Sequence, residues 1–317
     1  MRYLVTGSAG FIGRHVCSAL LSGGNEVVGL DCYTEYYDPI RKRANTASFS
    51  AAPAFTEVEL DLTVAPLDDL LDGVDAVVHL AGQPGVRLSW AEGFATYVDR
   101  NVNASQRLLE AARRTRVPRV VLASSSSVYG NAPAYPVTED SPTAPFSPYG
   151  VTKLAMEHLA GAYVENWKLP VVLLRYFTVY GPAQRPDMAL HRFIASTAAG
   201  EPVPVYGDGL QVRDFTYVGD VAAATIAATV AEVAPGTVLN IAGGSSATVA
   251  HVLDLVGAAV GRDVSVERLA PQPGDVRVTG AAIDRAHDLL GWAPEVPLDE
   301  GVARQVEHHL GAAVVAR

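Results

Sequence analysis

Tyr3-Leu4-Val5-Thr6-Gly7-Ser8-Ala9-Gly10-Phe11-Ile12-Gly13 is the most informative run in this sequence of 317 residues. A short apolar strand meets three glycines spaced three apart, and a helical pattern at Val16, Leu20 and Leu21 then stops at Gly23-Gly24. Glycine lets a backbone turn tightly and approach a pyrophosphate, which rests on the amide-bearing start of the helix. The spacing is GxxGxxG rather than GxGxxG. A second strand, Glu26 to Leu30, ends at Asp31, whose carboxylate can accept hydrogen bonds from adenosine ribose hydroxyls. An acid there repels a 2′-phosphate, and no arginine stands at 32 or 33, so NAD is favoured over NADP. Glycines alone would mark only a βα turn, whereas strand, glycines, helix, strand and terminal acid within about 30 residues mark a dinucleotide site.

Strands and helices go on alternating beyond this unit, as a doubly wound parallel sheet requires. Glu59-Leu60-Asp61-Leu62 places Asp61 near the adenine, and the strand Ala76 to Leu80 runs into Ala81-Gly82. Gln83 to Trp90 reads as a polar loop containing Arg87, followed by one long helix from about Ala95 to Arg116. Val171 to Tyr176 opens continuously apolar and reads as a buried strand. The expectation is a sheet of six or more strands.

A second cluster of residues carries chemistry. An apolar strand from Val117 to Leu122 leads into Ala123-Ser124-Ser125-Ser126-Ser127-Val128-Tyr129-Gly130, and a Pro-rich loop then reaches Tyr149-Gly150-Val151-Thr152-Lys153. Tyr149 and Lys153, four apart, share a helix face. An ammonium beside a phenol favours the phenolate, so the tyrosine can take a proton from an alcohol near neutral pH. A serine at the strand end completes the hydrogen-bonding set. Such a pair alone is usually an exposed helix face; the upstream dinucleotide site and the intervening serines turn the reading toward carbinol oxidation.

Composition excludes several classes. A chain of this length with 49% hydrophobic residues can bury a sizeable core. Its net charge of −10 argues against nucleic-acid binding, so an anionic ligand would have to be met by local arginines. No apolar run approaches the roughly 20 residues needed to span a bilayer, and Met1 to Thr6 reads as a strand rather than a signal peptide. Cys17 and Cys32 lack metal-like spacing, as do the histidines, so no metal is implied and a reducing, cytoplasmic setting is expected.

Taken together, Gly7-x-x-Gly10-x-x-Gly13, Asp31, the serine-rich strand end with Val128-Tyr129-Gly130, Ser147-Pro148-Tyr149-Gly150-x-x-Lys153, Arg175-Tyr176-Phe177-Thr178-Val179-Tyr180-Gly181-Pro182 and Arg213-Asp214-Phe215-Thr216-Tyr217-Val218 resemble the extended short-chain dehydrogenase/reductase family of nucleotide-sugar epimerases and dehydratases. The resemblance covers nearly the whole chain. Tyr36-Tyr37-Asp38 and the run from Thr178 through Arg185-Pro186-Asp187-Met188-Ala189 look most like UDP-glucuronate 4-epimerases.

The resemblance implies a Rossmann-type NAD-binding domain over 1–180, with a returning segment near 215–245, and an interleaved UDP-sugar-binding portion over 181–317. It implies that Gly7, Gly10, Phe11, Ile12, Gly13, Asp31, Asp61, Leu62, Leu80, Ala81, Tyr149, Lys153 and Tyr176 hold the cofactor. Tyr149, Lys153 and Ser125 would be catalytic. Arg87, Ser125, Ser126, Ser127, Thr178, Arg185, Arg192 and Arg213 would face the substrate. Arg213 is suited to a diphosphate by bidentate hydrogen bonding, the bland alternative being an ion pair with Asp214. Arg185 could meet a carboxylate or the diphosphate.

Related 4,6-dehydratases carry Asp-Glu where Ser126 and Ser127 stand, and UDP-glucuronate decarboxylases carry a Glu. Without an added acid or base, reversible oxidation at C4 is the simplest chemistry. Tyr149 would deprotonate the C4 hydroxyl as hydride passes to NAD⁺, and the 4-keto sugar would rotate before reduction on its other face. A 4-keto uronate is a β-keto acid prone to lose CO₂, and Ser126, Ser127 and Thr178, the last standing where many relatives have Asn, could pin its carboxylate. The rivals are a UDP-glucose or UDP-N-acetylhexosamine 4-epimerase and, from another class, a non-catalytic NAD-binding module. The helices near Ala95 to Arg116 and Tyr149 to Trp167 correspond to those that pair in dimeric relatives, so a homodimer is expected.

Overall fold

A computed structural model describes residues 1–244 and 246–315. Seven strands form the central sheet: β1 Arg2–Thr6, β2 Glu26–Asp31, β3 Phe55–Glu59, β4 Ala76–His79, β5 Val120–Ser125, β6 Val171–Tyr176 and β7 Thr237–Ile241. Every pairing is parallel, in the order β3-β2-β1-β4-β5-β6-β7. β4, β5 and β6 are buried along their whole lengths because helices cover both faces, which is why they read as continuous apolar runs. Leu108, Leu109, Met156 and Ala160 pack on one face. Val16, Leu20, Val221 and Ala224, from the helices Phe11–Ser22 and Val218–Val230, cover the other. This is a Rossmann-type α/β fold. The strand order reverses between β1 and β4, opening a crevice at the carboxyl ends of the strands.

After β6 the chain leaves the sheet. The helices Ala189–Ala199, Val249–Val260 and Leu298–Val315 enclose a second core around Ile194, Val205, Val252 and Val302. Short strands border it: Val203–Tyr206 runs parallel to Val266–Leu269, and Val212–Asp214 runs antiparallel to Ser246–Thr248. Between these pieces Val218–Val230 and β7 go back to the central sheet, where Asn240 pairs with Arg175.

Two elements depart from the sequence reading. The helix expected from Ala95 to Arg116 is broken by wide π turns at Val98–Asn103, between α-helical Phe94–Tyr97 and Ala104–Thr115. The wider turn buries Asn101, whose amide accepts from Gln83 N at 2.7 Å and donates to Gln83 O and Thr152 Oγ1 at 3.0 Å each. β5 starts three residues later than expected, because Val117 N–H still closes the preceding helix on Ala112 O. Ser124 and Ser125 therefore lie inside the sheet, opposite Arg175 and Tyr176.

Candidate active site

The turn after β1 is built by close backbone approach. Gly7 has φ +72°, and a Cβ there would lie 2.8 Å from Ala81 N; one on Gly13 would lie 2.0 Å from Gly7 O. Gly10 precedes the helix with no side-chain cap, so its first amides stay free for an anion. Asp31 accepts from Ala9 N at 3.2 Å and from Tyr33 N at 2.9 Å. Asp61 accepts from Thr63 N and Oγ1 and faces Arg100 at 3.4 Å, which holds its carboxyl below the usual range against the cost of burial. A cradle that no side chain could share, an open helix start and a carboxylate at the second strand end fit a dinucleotide.

Tyr149, Lys153 and Ser125 meet at the end of β5. Ser147 caps the helix Pro148–Trp167 by accepting from Gly150 N at 3.2 Å, and Pro148 takes the first helical position. Tyr149 therefore sits in the first turn with Lys153 one turn deeper. Lys153 Nζ donates to Ala123 O at 2.8 Å, and burial lowers its pKa to about 8. The Tyr149 and Ser125 side chains border the same cavity. The sequence reading made Lys153 the group that lowers the Tyr149 pKa. In the structure burial dominates and raises it, while the nearby Ser125 hydroxyl and the Arg185 charge pull it down.

All the residues proposed from sequence border one cavity of about 940 Å³. Asp31, Asp61, Leu62, Gly7, Gly10, Phe11, Ile12, Gly13, Leu80, Ala81, Tyr149, Lys153 and Tyr176 border it. Ser126, Ser127, Thr178, Arg87, Arg185, Arg192 and Arg213 line the same cavity. Ser126 and Ser127 stand in a single 3₁₀ turn, with Ser127 N donating to Ser125 Oγ at 3.2 Å. Arg185 is paired with Asp187 at 3.0 Å, and Tyr36 donates to the same carboxylate at 3.1 Å. Arg87 reaches Asp275 at 3.1 Å and lies over the Tyr206 ring, 4.0 Å from its centroid.

The ion pair weighed for Arg213 and Asp214 does not form. Arg213 donates to the carbonyls of Val276 at 2.7 Å, Val212 at 2.8 Å and Arg277 at 3.3 Å. Asp214 turns inward and accepts from Gly243 N at 2.7 Å, and burial lifts its pKa to about 6. Alternation along a strand sends neighbouring side chains to opposite faces, so the two cannot pair.

Sequence reasoning missed Cys32, Lys42, Arg100, Tyr206 and Asp275, which also line the cavity. No local signal marks them. Asp275 meets Arg87 across 188 positions, and Arg100, within the π turns, reaches Cys32 Sγ at 3.3 Å. Asp187 lay within the motif used for the resemblance but carried no assigned role.

The description "NAD dependent epimerase/dehydratase family" matches residues 3–242. The chain belongs to that family. A probable UDP-glucuronate 4-epimerase of Rhizobium meliloti is 39% identical over 329 residues, covering 97% of this chain and 96% of that protein. A UDP-glucuronic acid 4-epimerase from Bacillus cereus, solved with UDP-glucuronic acid and NAD, superposes with a TM-score of 0.96 at 39% identity, over 98% of this chain and 100% of that one. MoeE5, solved with UDP-glucose and NAD, gives 0.88 at 42% identity, over 99% and 100%. As a member of this NAD-dependent family the chain takes NAD, and the glycine cradle and Asp31 are the features that fit it. Among the described residues no helix is long and apolar enough to cross a membrane, and no cluster of His, Cys, Asp or Glu could hold a metal ion.

Proposed function

We propose that this chain is an NAD-dependent 4-epimerase that interconverts UDP-glucuronate and UDP-galacturonate through a 4-keto sugar. The observation that carries the reading is the lining of the cavity around Ser125. Ser125, Tyr149 and Lys153 sit beside Ser126, Ser127 and Thr178, hydroxyls where a dehydratase or decarboxylase needs a carboxyl group. NAD supplies the hydride acceptor when bound.

Tyr149 takes the proton of the C4 hydroxyl and later returns one to the C4 oxygen, with Ser125 holding that oxygen in line. The Lys153 ammonium offsets the negative charge of the Tyr149 phenolate that takes this proton, and is placed to bind the nicotinamide ribose. Ser126, Ser127 and Thr178 hold the carboxylate in the plane of the neighbouring carbonyl. That geometry keeps the breaking C–CO₂ bond from overlapping the carbonyl π system. Gly7, Gly10, Phe11, Ile12, Gly13, Asp31, Asp61, Leu62, Leu80, Ala81 and Tyr176 hold the cofactor. Arg87, Arg192 and Arg213 meet the diphosphate, and Arg185 the carboxylate or the diphosphate.

The functional division follows the cavity: a cofactor domain over 1–180 with the returning stretch 215–245, and a substrate portion over the rest of 181–317. The enzyme acts in the cytoplasm as a homodimer. Phe94, Val151 and Trp167, exposed on the helices Phe94–Tyr97 and Pro148–Trp167, support that pairing.

A second reading is a neutral UDP-hexose 4-epimerase, favoured by the likeness to MoeE5 with UDP-glucose. Purified protein with no added cofactor is incubated with UDP-glucuronate and separately with UDP-glucose, and products are identified by NMR. UDP-galacturonate without CO₂ or a pentose supports the uronate reading. Turnover of UDP-glucose alone transfers the assignment to the neutral sugars.

A further inference from the structure

Glu157 is a buried carboxylate that the reaction above does not use. It lies one turn beyond Lys153 and two beyond Tyr149 on the same helix face. Its Oε1 accepts from the Ser124 hydroxyl and from Arg175 Nε at 3.0 Å, and its Oε2 from Arg175 Nη2 at 2.7 Å. Arg175 is tied in turn to Tyr129 OH at 2.8 Å and Glu139 O at 3.2 Å. Lys153 grips Ala123 O, so the two side chains hold consecutive residues of β5, immediately before Ser125. Breaking a buried pair costs far more than forming it gains, so the pair is a poor stabiliser unless it serves another end.

We propose that Glu157 is a positioning residue of this site, which locks the strand end carrying Ser125 and keeps Lys153 an ammonium ion. The charged and titratable groups around Lys153 are few. Tyr149 and Glu157 lie on its own helix, and Arg175 stands on β6 behind Glu157. His79 at the end of β4 is buried between Thr6 Oγ1 at 2.7 Å and Ser105 Oγ at 3.0 Å; burial holds it neutral, at about 3. Burial has already brought Lys153 to about 8, and the carboxylate of Glu157 is the charge that opposes the fall. Without that charge Lys153 would lose its proton near neutral pH.

The test uses a feature of the composition: Lys42, Lys153 and Lys168 are the lysines of the chain. In holoenzyme labelled with ¹³C,¹⁵N-lysine the side-chain signals are few, and Lys153→Met assigns the one in question. Glu157→Gln keeps the shape and removes the charge. The Lys153 midpoint should fall by about one pH unit or more, and the alkaline limb of the kcat profile should fall with it. An unchanged midpoint overturns the proposal. Should the single variant fail to fold with Arg175 left unpaired, Glu157→Gln combined with Arg175→Gln is read against Arg175→Gln alone, so that the Glu157 charge is the one difference: a lower midpoint supports the role, an unchanged one overturns it. The inference rests on Lys153 belonging to the reacting set. Its titration is read without turnover, so failure of the sugar assignment leaves this result standing.

Discussion

The residues proposed for the cofactor and those proposed for the sugar are assembled by different means. The proposed cofactor set centres on backbone, the close-packed turn from Gly7 to Gly13, continuous in sequence, to which Asp31 and Asp61 add carboxylates. The proposed sugar set is made of side chains drawn together from afar: Tyr36 meets Asp187 across 151 positions, and Arg87 meets Asp275 across 188. A backbone site has no tolerance, because one methyl group fills the space the ligand needs. A side-chain site can lose one contact and keep the rest, so its changes appear as altered selectivity.

The largest effect should come from Gly13→Ala, whose Cβ would stand 2.0 Å from Gly7 O. Neither partner is a flexible side chain. The expected outcome is loss of retained NAD with destabilisation on the order of 3 kcal/mol, read by mass of the native holoprotein and by chemical denaturation. Retention of NAD at wild-type occupancy would show that the turn is not the cofactor cradle.

Next comes Tyr149→Phe, which should keep fold and NAD while kcat falls about 10³-fold, within the range for losing a positioned acid–base group. Thr178→Ala is milder. One lost hydrogen bond of about 1.5 kcal/mol should reduce uronate selectivity roughly tenfold and release detectable CO₂. Full selectivity with no extra CO₂ would remove Thr178 from the pinning role.

Acid should act on the two regions in opposite directions. His79, beneath the glycine turn, has a folded pKa of about 3, below its ordinary value. Its contribution to stability is full above about pH 6.5 and is lost as pH falls toward 3. Asp214, bracing the strand Val212–Asp214, has a folded pKa of about 6, above its ordinary value. Its contribution is full below about pH 4 and is lost as pH rises toward 6. Each slope reaches at most about 1.4 kcal/mol per pH unit. Denaturation of His79→Gln and Asp214→Asn against wild type, from pH 4 to 7, should give difference curves of opposite sign.

The smallest effect is expected from Asp275→Asn. Its pair with Arg87 is half-exposed, so stability should change by less than about 1 kcal/mol, while UDP affinity changes measurably in calorimetry.

The fold was legible because a buried parallel sheet leaves continuous apolar runs such as Val171 to Leu174, and because a pyrophosphate turn requires glycine in a pattern short enough to see. Tyr149 and Lys153 were legible for the same reason: one helix turn fixes their spacing. Seven strands, the return of Thr237–Ile241 beside β6 and the burial of Ser124 and Ser125 within β5 depended on long-range pairing. So did the protonation of the site. An ammonium four residues from a phenol suggests a lowered phenol pKa, yet burial sets the direction at both Tyr149 and Lys153. Glu157 illustrates the limit most clearly. Its sequence position places it on the right face of the helix, but its charge matters because Arg175, Ser124 and Lys153 surround it, and desolvation is a property of the folded environment.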